Sequence, residues 1–92
     1  MLFAFVGYDK PNSLDLRMDN RPAHVEWLKT NPIPITGPLL DDDGNPCGSI
    51  VICEAESLEE AAKIFATDPY AEAGLFEKTD LRPWKWVIGA PE

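Results

Sequence analysis

The apolar residues of this 92-residue chain fall into short runs separated by turn-forming residues. The first run, Leu2–Val6, stops at Gly7 and is rich in aromatic and branched residues, which predicts a buried central strand. The run Ser49–Cys53 holds two isoleucines and a valine in five positions and carries the strongest strand signal of the chain. Two strands are therefore predicted from apolar runs alone.

A third apolar run, Ile33–Leu40, contains strand-forming residues but also Pro34 and Pro38. Each proline removes a hydrogen-bond donor from the ladder, so the run predicts an edge strand or one interrupted by a bulge. Gly37 marks either a bulge or a close approach to the backbone, and the bulge is favoured. The acidic stretch Asp41–Pro46 predicts a turn into the next, antiparallel strand.

The second half of the chain contains a clear helix signal. Ser57 and Glu60 have the spacing of a capping box, with Ser57 as the N-cap. Apolar residues then recur on one helical face at Leu58, Ala61, Ala62 and Phe65. We expect this helix to end at Asp68, because Pro69 pushes Asp68 out of helical backbone angles and makes it a fixed corner.

The helical signal in the first half is less regular. Ser13 precedes a helical segment, Leu14–Met18, and Asn20–Lys29 continues with good helix formers. Pro22 stands early in the second segment, where Asp19 or Asn20 could cap a new start. One kinked helix or two short helices both fit this pattern.

The C-terminal part predicts one more helical turn and further strand. The turn is expected at Ala71–Gly74, and Leu75–Leu81 and Trp84–Ile88 alternate as strands do, with Pro83 dividing them. One long strand with a bulge or two separate segments are both possible. On that reading Trp84, Trp86 and Ile88 share one face, which needs burial against the helices or against a partner chain.

The resulting order is strand, helix, strand, strand, helix, strand over a single domain, residues 1–92. Two βαβ halves with right-handed crossovers give an α+β fold, a ferredoxin-like βαββαβ plait whose antiparallel sheet carries two helices on one face. The other sheet face also needs a cover. At this chain length a monomer is marginal, so a homodimer joined through that face is expected.

Charge and composition remove several classes of function. The net charge is −8 and the eight Lys and Arg residues are scattered, so neither nucleic acid nor an anionic membrane surface is expected as a partner. Cys47 and Cys53 match no redox or zinc spacing and are expected to be reduced thiols. No leader-like or membrane-length apolar run occurs, which predicts a cytoplasmic protein.

The best chemical candidate is His24, the only histidine. Arg21 lies three residues before it, so a guanidinium and an imidazole project from one side of a helix, a turn apart. One histidine with scattered carboxylates makes a poor metal site, and no GxGxxG or P-loop pattern occurs. We therefore expect no metal and no cofactor.

Five motifs occur together in a fairly specific order and spacing: Arg21-Pro22-Ala23-His24, Thr36-Gly37-Pro38, Gly48-Ser49, Glu56-Ser57-Leu58-Glu59-Glu60-Ala61, and Asp68-Pro69-Tyr70 followed by Ala73-Gly74. With them the chain resembles the YCII-related (YciI-like) family of the dimeric α+β barrel superfamily, over nearly its whole length. Two departures are the short loop Asp41–Cys47 and the Trp84 and Trp86 stripe.

The resemblance implies a homodimer joined by its sheets and a pocket whose active centre is a His–Asp pair. In this sequence the pair is His24 and Asp68. The expected substrate-binding residues are Arg21, Tyr8, Gly37, Ser49 and Tyr70. Similar folds act on small cyclic or aromatic compounds as lactone isomerases, dehydrochlorinases and cofactor-free monooxygenases.

Two functions follow as hypotheses. In the first, the protein is an enzyme in which His24 is a general acid or base oriented by Asp68, acting by elimination, isomerisation or hydrolysis on a small carbonyl or hydroxyaromatic compound. In the second, it is a non-catalytic dimeric domain that binds a metabolite or serves a partner protein. A third interpretation is structural, with the pair only joining one helix to the other.

Overall fold

The computed structural model describes residues 1–91 as a four-stranded sheet with helices on one face. The strands pair in the order β2-β3-β1-β4 and every pair is antiparallel. The elements are β1 (Leu2–Asp9), α1 (Leu14–Thr30), β2 (Ile35–Leu40), β3 (Pro46–Glu54), α2 (Leu58–Ala66), α3 (Pro69–Glu72) and β4 (Phe76–Trp84). The predicted ferredoxin-like α+β fold is confirmed, with α3 as a short addition.

The core lies between the helices and one face of the two central strands. Phe3 and Phe5 alternate with less buried neighbours along β1, as a strand with one covered face requires. The ring of Phe5 stacks on that of Phe65 in α2, with centroids 4.5 Å apart. Ala61, fully buried on the same helix, allows α2 to approach the sheet closely. The predicted amphipathic helix, with Ser57 accepting a hydrogen bond from the Glu60 N–H, is confirmed.

Helix α1 is a single helix that contains Pro22. Of the two alternatives, the structure has the single helix and not the two short ones. Neither Asp19 nor Asn20 caps a new start, and the Asn20 side chain donates backwards to the Leu16 carbonyl, 2.9 Å away. Proline has no N–H, so the backbone carbonyl one turn earlier loses its helical hydrogen-bond donor. Pro22 is exposed, and water can donate to that carbonyl instead. Ser13 stands at the N-cap, although its side chain makes no capping hydrogen bond.

Strand β2 is an edge strand, as its prolines predicted. Its register with β3 shifts between Leu39 and Leu40, where Cys47 is skipped, so the irregularity does not lie at Gly37 as predicted. A Cβ added at Gly37 would meet nothing within 4 Å, so the space that a side chain would take there is open. The absence of a donor at Pro38 is tolerated because an edge strand pairs on one side only.

The C-terminal part corrects the sequence interpretation most. Strand β4 runs through Pro83 and ends at Trp84, and the segment 85–91 forms no strand. The Trp86 side chain donates to the Ile88 carbonyl at 2.8 Å, which folds this segment back on itself. Trp86 packs against Trp84 with ring centroids 5.8 Å apart, while Ile88 is 87% exposed. The predicted stripe of three residues on one strand face therefore does not form.

The sheet face away from the helices is apolar, and Ile35, Ile50 and Trp84 are exposed on it while Ile52 is buried. We call it the open face and define it by the residues Ala4, Val6, Ile35, Ile50, Ile52 and Trp84. A shallow depression of about 490 Å³ lies over these residues. Among residues 1–91, the helices are all too short or too polar to cross a membrane.

Two glycines in neighbouring strands give a direct test of this packing. A Cβ at Gly48 would lie 2.5 Å from the Gly7 carbonyl oxygen, which belongs to a paired strand and cannot move freely. We expect Gly48→Ala to lower the free energy of unfolding by about 1–3 kcal/mol through this overpacking. Gly37→Ala has open space around it and is the matched control, with an expected change within about 0.5 kcal/mol. Urea unfolding of both variants measures the difference, and equal stabilities would contradict the strand register.

Candidate functional site

A pocket of about 230 Å³ opens between α1 and the β2–β3 edge of the sheet. Helix α1 contributes Arg17, Arg21 and His24, which follow at i, i+4 and i+7 and therefore share one side of the helix. Apolar cavities of roughly 150 Å³ bind benzene, so this volume accommodates one substituted ring. The pocket thus combines single-ring size with cationic and titratable groups.

His24 and Asp68 are in contact beside this pocket. His24 Nδ1 lies 2.7 Å from Asp68 Oδ1, and the two side chains are 7% and 1% exposed. A carboxylate only accepts hydrogen bonds, so an ionised Asp68 requires Nδ1 to carry the proton. In the neutral tautomer that carries its proton on Nδ1, the lone pair belongs to the second ring nitrogen, Nε2, which can accept a proton.

The local sequence fixes the position of Asp68. Asp68 has an extended backbone (ψ 125°) ahead of Pro69, and its Oδ1 also accepts the Tyr70 N–H at 3.0 Å, so it caps α3. The preceding Thr67 accepts a hydrogen bond from the Trp27 indole, which attaches this corner to α1. Among residues 1–91, buried Asp68 Oδ2 has no hydrogen-bond partner. The hydrogen bonds that hold this carboxylate are therefore the two at Oδ1.

Tyr70 is held between two side chains of α1. Its ring stacks on the His24 imidazole at 3.8 Å between centroids, with 16° between the planes. The Arg17 guanidinium carbon lies 4.6 Å from the centre of the same ring. Burial raises the pKa of the Tyr70 hydroxyl above its usual value, although the charges of Arg17 and Arg21 act in the opposite direction. The stack restricts the rotation of the imidazole and so fixes where Nε2 points.

Sequence reasoning missed Arg17. Its side chain is only 4% exposed, and it binds Asp9 through both Nε at 2.7 Å and Nη2 at 3.2 Å. Nη2 also donates to the Ser49 hydroxyl at 2.7 Å. The available signal was its spacing, since Arg17 precedes Arg21 by four residues and His24 by seven on the same helix.

The structure gathers most of the predicted residues around this pocket. Arg21, Gly37, Ser49 and Tyr70 all line it together with His24. Tyr8 does not line the pocket. Strand β1 continues to Asp9, and strand alternation turns the Tyr8 side chain to the sheet face away from the helices, where it is 48% exposed. Within residues 1–91, no three His, Cys, Asp or Glu side chains lie close enough together to hold a metal ion.

Sequence comparison gives relatives along nearly the whole chain. Residues 1–85 match the family of YCII-related domains. The protein YciI of Escherichia coli O6:H1 is 36% identical over 98 residues, an alignment that covers 96% of this chain and 100% of YciI. An uncharacterised protein of Haemophilus influenzae is 35% identical, with the same coverage of both chains.

Structure comparison finds an enzyme with substantial sequence identity. The 5-chloro-2-hydroxyhydroquinone dehydrochlorinase TftG of Burkholderia phenoliruptrix AC1100, solved in complex with 2,5-dihydroxybenzoquinone, is 39% identical. Its TM-score is 0.85, over 92% of this chain and 94% of that chain. An antibiotic biosynthesis monooxygenase is 16% identical with a TM-score of 0.59, over 95% of this chain and 99% of that one, and shares the fold.

The Tyr70 environment can be tested by titration. The chain has two tyrosines, so Tyr8→Phe leaves Tyr70 as the only source of phenolate absorption. Because burial raises the pKa of Tyr70, we expect the folded variant to ionise at higher pH than the same variant in urea. The stabilisation that Tyr70 contributes is complete at pH values below its pKa in the unfolded state. It is lost as the pH rises through the pKa of Tyr70 in the folded state. Coincident titration curves, with circular dichroism confirming the fold, would contradict the placement of Tyr70.

Proposed function

The chain belongs to the family of YCII-related domains, and from that premise we propose that it is a small-molecule enzyme. Its pocket takes a small carbonyl or hydroxyaromatic compound, and His24 oriented by Asp68 performs general acid–base chemistry on it. The reaction class is elimination, isomerisation or hydrolysis, and elimination from a substituted hydroxyaromatic ring is the form we favour.

The contact between His24 and Asp68 is the observation that carries this proposal. A buried carboxylate that accepts from Nδ1 fixes the tautomer and stabilises the imidazolium formed when Nε2 takes a proton. The imidazole lines a pocket of single-ring size, so the proton can come from a bound molecule. A merely structural His–Asp pair needs no such opening beside it.

Elimination fits this set of groups because it needs only proton transfers. In a halogenated 1,4-dihydroxy ring, one hydroxyl proton moves to the ring carbon that bears the halogen. The second hydroxyl proton then leaves as the halide departs with its bonding electron pair, and the ring becomes a quinone. The net loss is one hydrogen halide, so no external oxidant is required. A single imidazole that accepts and returns a proton serves both steps.

The substrate class is supported by similarity as well. TftG, at 39% identity, is named for dehydrochlorination of a chlorinated hydroxyhydroquinone and was solved with a dihydroxybenzoquinone. The pocket of this chain offers Arg21 at its exposed rim, where a guanidinium can stabilise an ionised ring hydroxyl or hold a carboxylate. Other ring substituents would reach solvent through the same opening.

We further propose that the protein is a homodimer in which a second copy covers the open face. On that face, Ile35 is 46% exposed and Ile50 is 41% exposed. Both are apolar residues of the sheet, and the chain has only 92 residues from which to build a core. Burying apolar area of this kind stabilises a small domain that has little core of its own. A copy of the same chain presents the same apolar strands and is the self-complementary partner.

Turnover of halogenated hydroquinones tests the enzymatic proposal. We expect wild-type protein to release halide and the quinone absorption band, and His24→Gln to lower kcat/KM by about 10²–10⁴-fold because an amide cannot exchange the proton. Asp68→Asn should also lower kcat/KM, since it removes the carboxylate that orients His24. Glu26→Gln, exposed on the same helix and outside the pocket, is the matched control and should stay within about twofold.

Two results would contradict the enzymatic proposal. Full activity in folded His24→Gln would remove the proposed acid–base group. Binding of these rings without any turnover, seen as a raised melting temperature only, would favour the alternative of a non-catalytic metabolite-binding domain.

Light scattering on a sizing column tests the dimer. We expect a mass of twice the chain for wild-type protein and the mass of one chain for Ile50→Asp, because the new charge cannot be buried against a second apolar face. Leu58→Asp changes a similarly exposed apolar residue at the first turn of α2 and should remain dimeric. A wild-type mass of one chain would refute this assembly.

A further inference from the structure

The C-terminal segment, residues 85–91, presents two neighbouring apolar side chains to solvent. Ile88 is 87% exposed and Val87 is 76% exposed, the highest values among the large apolar side chains of residues 1–91. Single exposed apolar residues are normal on a protein surface, whereas adjacent ones that extend an apolar patch mark a place of contact. The match to YCII-related domains ends at residue 85, so this segment lies beyond the matched domain.

Trp86 holds the segment in one shape. Its indole donates to the Ile88 carbonyl at 2.8 Å, and Gly89 continues the chain at φ 85°, a left-handed conformation that glycine adopts without strain. The Trp86 ring is half-buried and packs on Trp84, with ring centroids 5.8 Å apart. These contacts fold the chain after β4 and leave Val87 and Ile88 on its outside.

Trp84 connects this segment to the open face. The Trp84 side chain lines the depression over that face, and the Trp86 ring lies against it. Trp86 therefore continues the apolar surface past the end of the sheet, and Val87 and Ile88 follow directly after it. A second copy that covers the open face meets the rim at which this segment begins.

The open face by itself is small for a protein interface. Four strands about 4.8 Å apart, with about seven residues each at about 3.4 Å, cover a flat area of roughly 450 Å². Stable interfaces bury about 800 Å² on each partner. On the β4 side, Lys78, Asp80 and Arg82 point the same way as the open face, because they lie opposite β1 residues of that side. A stable dimer of this chain therefore needs apolar surface beyond the sheet.

We propose that the C-terminal segment of each protomer packs on its partner, so that Val87 and Ile88 become part of the dimer interface. This role rests on the dimer proposed above, and the segment is the surface that completes it. A second copy is the favoured occupant because the segment starts at the edge of the self-complementary open face. Two-fold symmetry repeats the contact, so each side chain contributes twice.

The dissociation constant of the dimer, measured by sedimentation equilibrium over a dilution series, tests this inference. We expect Ile88→Asp to raise the dissociation constant about ten- to hundredfold, because a charge would then be buried on both sides of the symmetric interface. Ile88 is exposed in the single chain, so the substitution leaves the fold of each protomer intact, which circular dichroism checks.

The matched control is Leu58→Asp. It adds the same charge at an apolar residue that is 47% exposed, at the first turn of α2 on the helix side of the sheet. The dissociation constant of this variant should stay within about threefold of the wild-type value.

Trp86→Phe tests whether the shape of the segment matters. The variant keeps an aromatic ring against Trp84 and removes the indole N–H that holds the Ile88 carbonyl. We expect the dissociation constant to rise about two- to tenfold, since Ile88 is then no longer held in place.

A mixed dimer detects the contact itself. When one copy carries isotope-labelled methyl groups and the other is unlabelled, nuclear Overhauser effects should run from the Val87 and Ile88 methyls to protons of the unlabelled copy. Their absence in a stable dimer would overturn the inference.

Equal dissociation constants for wild type and Ile88→Asp would remove the segment from the interface and leave the dimer standing. An equal loss in Leu58→Asp would do the same, because the effect would then belong to the added charge. A wild-type protein that stays monomeric would refute the segment and the dimer together. Turnover of halogenated hydroquinones by that protein would still support the acid–base chemistry proposed for His24.

Discussion

The arrangement of the site depends on one buried carboxylate oxygen, Asp68 Oδ1. It accepts from the Tyr70 backbone N–H and contacts His24 Nδ1, so the start of α3 and the middle of α1 are joined at a single atom. Pro69 fixes the backbone on one side of Asp68, and the indole of Trp27 fixes Thr67 on the other. This corner therefore fixes the positions of His24 and Tyr70 relative to each other.

Helix α1 is unusual because it buries polar side chains. Its buried residues are Arg17, His24 and Trp27, so its inner surface carries charge and hydrogen-bonding capacity where an ordinary helix carries aliphatic groups. Each polar group finds a partner on another element: Arg17 on β1 and β3, His24 at the start of α3, and the Trp27 indole at the end of α2. The helix is held on the sheet by directional contacts, which fix its rotation more closely than apolar packing alone.

This polarity explains which features the sequence could reveal. Strand β3 and helix α2 follow simple periodic patterns, and the corner at Asp68 follows from the proline after it; these predictions were confirmed. The pattern failed for α1, because an arginine and a histidine occupy positions where periodicity looks for apolar residues. Arg17 was missed for that reason. Pro22 left a choice between one kinked helix and two short ones, and the structure shows one helix with Pro22 at an exposed position. The Trp86 indole donates to the nearby Ile88 carbonyl, and this local hydrogen bond competes with strand pairing. The alternation of apolar residues gives no sign of that competition.

The edge strand β2 is a wall shared by two cavities. Thr36, Gly37 and Pro38 line the pocket beside His24 and also the depression over the open face. Any restriction that an occupant of one side places on this strand also changes the free energy of binding on the other side. Linkage makes that influence mutual: a molecule in the pocket alters the affinity for a partner on the open face by the same factor by which the partner alters the affinity for the molecule. One thin strand thus gives a small chain the means for communication between two surfaces.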